Sequence, residues 1–164
     1  MSPFPEEPLN LSTSDGFGYF PGEIKQSLNN GRYTIIRKLG WGPRSSTWLV
    51  RDSTEKKPSH DSAVQIFTAA KSREADKRLL PVLQSAALDR WVDFPTLVDS
   101  FWEASVHGEH LCIVIAAYGL PFGDLLVEAT NRGRAGLPVG VVKYVAWQVL
   151  EVLVERLHHK KGLS

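Results

Sequence analysis

The sequence predicts an α+β fold: a five-stranded antiparallel sheet with one helix against it, followed by two more helices. Three observations predict it. Short runs rich in aromatic and β-branched residues alternate with turn residues, the pattern of half-buried strands. Longer stretches space their apolar residues by three and four, the pattern of amphipathic helices. Their order is strand, strand, strand, helix, strand, strand, helix, helix, which matches an antiparallel sheet with segregated helices.

Residues 1 to about 18 hold Pro3, Pro5, Pro8, Ser12, Ser14, Gly16 and Gly18 and read as a disordered lead-in. Tyr19-Phe20-Pro21-Gly22-Glu23 begins an ordered approach, and Asn29-Asn30-Gly31 is a turn signal. Tyr33 to Leu39 is the first strand and Thr47 to Arg51 its hairpin partner, with Trp48 and Val50 on one face and Leu49 on the other. Asp52 to Asp61 is polar and contains Pro58, so it reads as an exposed loop. Ala63 to Phe67 is a short buried strand.

From Lys71 to Ala87 the spacing is helical, and Ala75, Leu79, Val82, Leu83 and Ala86 share a face. Pro81 should end or kink this helix. Leu97 to Glu103 and His110 to Ala116 are two more strands, with Val106-His107-Gly108 turning between them. The run Leu111-Cys112-Ile113-Val114-Ile115-Ala116 is apolar throughout, which predicts a central strand covered on both faces. After a break at Gly119 to Gly123, a short helix runs from Asp124 to about Asn131. The last helix runs from Pro138 to His159, with Val142, Val145, Ala146, Val149, Leu150, Leu153, Val154 and Leu157 as its apolar stripe. His158, His159, Lys160 and Lys161 suit a helix C-terminus and Gly162 suits its cap.

The 164 residues suffice for one domain with a real core, and 43% hydrophobic with 23% charged residues is an ordinary soluble balance. A formal charge of +1 gives no global field for nucleic acid or a membrane surface. The single cysteine, Cys112, excludes an internal disulfide and sits in an apolar run, where it reads as a core residue rather than a nucleophile. The acidic, proline-rich start is no secretory signal, and no apolar run approaches the roughly 18 residues of a membrane helix. These features place the chain inside the cell, in cytoplasm or nucleus.

Arg37-Lys38-Leu39-Gly40-Trp41-Gly42-Pro43-Arg44-Ser45-Ser46-Thr47-Trp48-Leu49 reads as strand, glycine-bearing turn and strand, and Ser62-Ala63-Val64-Gln65-Ile66 follows. Here the chain resembles a eukaryotic protein kinase, most closely the SR-protein kinases as found in fungi. Tyr19-Phe20-Pro21-Gly22-Glu23, Gly31-Arg32-Tyr33, Leu97-Val98-Asp99-Ser100-Phe101 and Gly108-Glu109-His110-Leu111-Cys112 extend the resemblance to most of the chain. It implies a lead-in over 1–18, a kinase-like N-terminal lobe over 19–119 and part of the large lobe over 120–164.

The resemblance assigns Gly40 and Gly42 to the loop that covers ATP phosphates, with Trp41 between them and Ser45 at its third glycine. As a bare turn, the same residues would suit any hairpin. Pro43 removes a backbone donor at the tip; Arg44 either offsets that by charge or is simply solvated. Leu39, Thr47 and Ala63 stand where the adenine packs, or serve as ordinary core. Gln65 takes the place of the strand-three lysine, and Asp76, with Glu74 as the alternative, that of its partner glutamate. The bland alternative for Gln65 is a strand residue near solvent. Ile115 matches the gatekeeper, and Ala116, Ala117 and Tyr118 the hinge, which holds adenine through backbone groups. Asp124 begins the next helix or is its N-cap. The catalytic loop with its base aspartate and metal-binding asparagine is missing, as is Asp-Phe-Gly.

Three functional expectations follow. One is a truncated kinase-like domain, catalytically inactive alone, that binds a protein partner on the surface facing the large lobe. Another is a fragment of a serine/threonine kinase whose large lobe is absent. The third is a nucleotide-sensing module, with ATP held weakly, Mg²⁺ left open and no dedicated metal site.

Overall fold

The structure is a computed structural model that describes residues 6–54, 62–88, 95–118 and 122–159. It divides into two units, Met1–Tyr118 and Gly119–Ser164.

The first unit is built on one antiparallel sheet of six strands. They are β1 (Ser27–Leu28), β2 (Tyr33–Gly42), β3 (Ser45–Asp52), β4 (Ser62–Phe67), β5 (Leu97–Ser105) and β6 (Gly108–Ala116), in the order β1-β2-β3-β4-β6-β5. The five expected strands are present. The sixth, β1, is a two-residue edge pairing Ser27 with Thr34 and Leu28 with Tyr33. A strand that short carries no period-2 pattern, so the sequence offers no sign of it.

Strand pleating sorts the side chains onto two faces. On one, Trp48, Val50, Val64, Ile66, Cys112 and Val114 pack with Phe20, Leu28, Tyr33 and Ile35. On the other, Phe67, Leu111 and Ile113 pack with Ala75, Leu80 and Leu83. β6 contributes to both, which is why its sequence shows no alternation. Cys112 is fully buried and burial pushes its thiol far up, so it is a core residue.

β2 and β5 are not neighbours in the sheet, yet the twisted sheet curls until they meet across the first face. Tyr33 stacks on Phe101 with centroids 5.6 Å apart, and its hydroxyl donates to Asp99 at 3.0 Å. The Arg32 guanidinium bridges Asp99 and Asp52, each at 2.9 Å. The Asn29 amide donates to Glu103 at 2.9 Å. Asn29 and Asn30 both take positive φ here, as the turn signal implied.

Helices α1 (Ala69–Arg78) and α2 (Leu80–Leu88) replace the single helix expected over 71–87. The break falls at Leu79, so that Pro81 lies in the first turn of α2, where its missing N–H costs nothing. Ala75, Leu83 and Ala86 are buried as expected, but Val82 is 39% exposed because the break rotates it off the shared face.

Residues 6–18 correct the expectation of a disordered lead-in. They form successive hydrogen-bonded turns, including Phe17 N to Ser12 O at 3.1 Å and Gly18 N to Leu11 O at 3.1 Å, and Glu7 is buried against Lys38. Prolines and glycines that prevent regular structure are compatible with a turn-rich ordered segment when side chains anchor it.

The second unit contains α3 (Phe122–Asn131) and α4 (Val139–His159). Gly133, at φ 76°, turns the chain after α3, where its N–H donates to Thr130 O at 2.9 Å. Pro138 leads into α4, and its carbonyl accepts from Val141 and Val142. Val139, Tyr144, Trp147 and Leu150 of α4 are exposed. Lys160, Lys161, Gly162 and most of the 52–61 loop lie outside the described residues.

Burial raises the Asp52 carboxyl, but Arg32 and the hydroxyl and amide of Thr54 together outweigh it and bring it down to about 2. The folded value lies below the ordinary 3.8, so the contribution is complete above about pH 4 and is lost as pH falls towards 2. Urea unfolding midpoints should therefore fall over roughly pH 5 to 2, and Asp52→Asn should be less stable at neutral pH with a flatter acid limb. An unchanged acid limb in the variant would show that other carboxylates carry it.

Candidate functional site

The β2–β3 hairpin pairs Gly40 with Thr47, Trp41 with Ser46 and Gly42 with Ser45, leaving Pro43 and Arg44 as its turn. A bulge between Lys38 and Gly40 accommodates Leu39, which is 42% exposed. Next along, Thr47 pairs with Gln65 and Leu49 with Ala63, and Ala63 in turn with Ile115. The pleat thus puts Thr47, Ala63, Gln65 and Ile115 on one face, the face that α1 covers farther along. Ala117 and Tyr118 follow β6 and are exposed; the Tyr118 hydroxyl accepts from Thr96 N at 3.0 Å.

Trp41 does not join this group. It pairs with Ser46 on the opposite face, where its ring meets Tyr19 edge-on at 5.8 Å. The Tyr19 hydroxyl donates to the Gly42 carbonyl at 2.8 Å. Thr68 N donates to Arg44 O at 2.8 Å, which ties down the hairpin tip from a third side.

Gln65 is half-buried, and its side-chain amide donates to the Ser45 hydroxyl at 2.9 Å. The position of the expected lysine and that of the expected third glycine are therefore joined by a neutral hydrogen bond. Among the described residues no hydrogen bond or ion pair links Gln65 to Asp76 or Glu74. Glu74 instead pairs along its own helix with Lys71 at 3.3 Å and Arg78 at 3.7 Å, and the Lys71 bond chiefly holds its carboxyl below the usual range. Among the described residues no cluster of three or more His, Cys, Asp or Glu side chains is placed to hold a metal.

A Cβ built at Gly40 or Gly42 meets nothing within 4 Å, and neither glycine takes a positive φ. The fold itself does not demand glycine at either place. What glycine preserves is open space above the hairpin backbone, the condition for close approach of a ligand.

Sequence reasoning missed His110. It is buried, with Nδ1 donating to Phe67 O at 2.8 Å and Nε2 accepting from Ser105 Oγ at 2.7 Å. Burial pushes its pKa down and so favours the neutral ring, in which one nitrogen donates and the other accepts. Ser72 acts likewise, donating to Thr68 O and accepting from Leu111 N, both at 2.9 Å, so that α1 is tied to β6. A polar residue opening an apolar run is the only trace that such pairs leave in a sequence.

No protein-family model matches the chain. Among curated proteins it is 30% identical over 158 residues to protein kinase Dsk1 of Schizosaccharomyces pombe, covering 89% of this chain and 27% of that protein. It is 31% identical over 147 residues to a serine/threonine-protein kinase SRPK of Physarum polycephalum, covering 87% and 33%. To SRSF protein kinase 3 of Mus musculus it is 35% identical over 146 residues, covering 87% and 25%. The first unit has the fold of a protein-kinase N-lobe, and these curated relatives are kinases of the SRPK type. The chain spans between a quarter and a third of the length of these relatives. Solved structures agree on the fold: the PknI kinase domain of Mycobacterium tuberculosis superposes with a TM-score of 0.53 at 21% identity, covering 84% of this chain and 54% of that one. Another kinase domain gives a TM-score of 0.56 at 19% identity, covering 67% and 31%.

A nucleotide fits this lobe unevenly. Placed as the resemblance implies, its base would meet the apolar side chains Leu39, Ala63 and Ile115, of which Ala63 and Ile115 are paired across β4 and β6, and the glycines leave room above the hairpin. The phosphate end does not fit: Gln65 is neutral and already bonded, and Pro43 offers no N–H. Substituting Gly40→Ala or Gly42→Ala should change unfolding free energy by no more than about 0.5 kcal/mol, whereas Trp48→Ala in the core should cost about 3–5 kcal/mol. A large loss from either glycine variant in chemical denaturation would contradict the open space described here.

Proposed function

We propose that these 164 residues do not transfer phosphate by themselves and that the lobe has a binding or regulatory role. The observation that carries this reading is the Gln65–Ser45 hydrogen bond at the place where phosphoryl transfer needs a cation. The sequence also contains neither a His-Arg-Asp nor an Asp-Phe-Gly run. Residual nucleotide binding would rest on the base-facing side chains and the hinge backbone. Its strength would then depend little on the phosphates or on Mg²⁺. The protein partner would dock on the side that faces a kinase large lobe, and the chain would act in cytoplasm or nucleus.

Calorimetric titration tests this directly. Adenosine and ATP should bind with affinities within about threefold of each other, with or without Mg²⁺, because no phosphate-binding cation distinguishes them. ATP binding that strengthens tenfold or more on adding Mg²⁺ would sink the proposal. No heat with either ligand at millimolar concentration would leave only the partner-binding role.

The short span relative to the SRPK-type relatives supports a second reading, a fragment of a serine/threonine kinase. In a longer chain carrying the catalytic motifs, Gln65→Lys should raise peptide phosphorylation by an order of magnitude or more, since the lysine positions the α- and β-phosphates. An unchanged rate would remove Gln65 from the lysine's role.

A further inference from the structure

We infer that residues 7–20 are a built-in strap that sets the position of the β2–β3 hairpin and of the start of α1 together. The strap touches four separate parts of the first unit. At the hairpin, the Tyr19 hydroxyl holds the Gly42 carbonyl at 2.8 Å and its ring packs edge-on against Trp41. On β2, Glu7 pairs with Lys38, whose ammonium lies 4.9 Å from the centroid of the Trp48 ring. At the β5–β6 turn, Thr13 donates to His107 O at 2.8 Å and His107 Nε2 donates to Leu9 O at 3.0 Å.

The fourth contact is with α1. The first N–H groups of a helix have no partner within it. Thr68, at the N-cap, makes no side-chain cap bond, and its buried hydroxyl has no hydrogen-bond partner. The strap supplies the acceptors instead: Gly18 O takes the Ala69 N–H at 2.8 Å and Phe17 O takes the Ala70 N–H at 3.2 Å. The cap of this helix is thus formed by residues fifty positions upstream in the chain, roughly the distance between Gly18 and Ala69.

The strap is fitted tightly. Gly18 takes φ 77°, and a Cβ there would lie 2.9 Å from Thr13 Oγ1 and 3.2 Å from His107 Cβ. Tyr19 is fully buried and Phe20 nearly so. A single peptide, Gly18-Tyr19, therefore joins helix α1 through its carbonyl side and the hairpin through its side chain. Releasing the strap should loosen both, while β4, β6 and β5 keep their own ladders and core.

Hydrogen exchange of backbone amides in the whole chain tests this. Tyr19→Phe removes one oxygen and no apolar contact. It should speed exchange about fivefold or more at Trp41, Gly42, Arg44 and Ser45, leaving Ile113 and Val114 unchanged. Gly18→Ala should in addition speed Ala69 and Ala70 by a larger factor. Should Gly18→Ala fail to fold, Thr13→Val, which deletes the Thr13 bond to the β5–β6 turn, takes its place and should speed Ala69 and Ala70. Unchanged exchange at the hairpin in Tyr19→Phe would overturn the inference. So would equal acceleration at β6, which would mean a general loss of stability.

Discussion

Strands β4 and β6 present apolar side chains to both faces of the sheet, and each face needs its own cover. Burying one such side chain stabilises the fold by about 1.5–3 kcal/mol, so neither face can be left to water. Helices α1 and α2 cover one face. Among the described residues of the first unit, no helix contributes to the core cluster on the other. That face is closed by the curl of the sheet, which brings Tyr33 against Phe101, and by Phe20 and Leu28 arriving from the N-terminal side. The Arg32 bridge between Asp52 and Asp99 locks this closure at its edge, with Tyr33 and Thr54 donating to the same carboxylates. Each carboxylate has several donors, which is what lets a charge sit this far from water. The strap is the continuation of the same solution, since it carries Phe20 into the core and then crosses to the helix.

The neutral pairing of Gln65 with Ser45 is chemically self-consistent. A lysine there would need a carboxylate within reach, and a charge without a partner in a half-buried site is costly. With Glu74 paired along its own helix, a neutral amide at position 65 finds a hydroxyl on the adjacent strand. Ser45 completes the arrangement; a glycine at that position would give Gln65 no acceptor.

Much of the fold was legible because its signals are local. β6 showed itself as an uninterrupted apolar run, Pro81 marked the helix break within two residues, and Asn29-Asn30-Gly31 announced a turn that takes positive φ. The pleat places Thr47, Ala63, Gln65 and Ile115 on one face. What could not be read depends on distant pairs. Nothing near Gly18 says that its carbonyl caps a helix beginning at Ala69, and nothing near Asp99 points to Arg32. Trp41 lies inside the glycine motif, yet a bulge and one step of alternation send its ring to the other side. The lead-in was misread for the same reason: its composition resists regular structure, and only its partners across the fold give it order.

The three ties on the hairpin bear on how this lobe meets a ligand. In a flexible loop, ordering the backbone costs about 1–2 kcal/mol per residue, and that cost is subtracted from any binding it achieves. Here Tyr19 holds Gly42, Gln65 holds Ser45 and Thr68 holds Arg44, so much of that cost has been met in folding. A preordered hairpin favours a ligand that fits its existing shape and disfavours one that requires it to close. The Gly42 and Arg44 carbonyls are occupied, and open volume lies above the glycine Cα atoms. Shape and apolar contact are what such a preordered backbone can recognise, with the exposed Arg44 as the charge at its tip. The rigidity that weakens it as a phosphate clamp is the same property that would make it a dependable platform for a flat, weakly charged ligand.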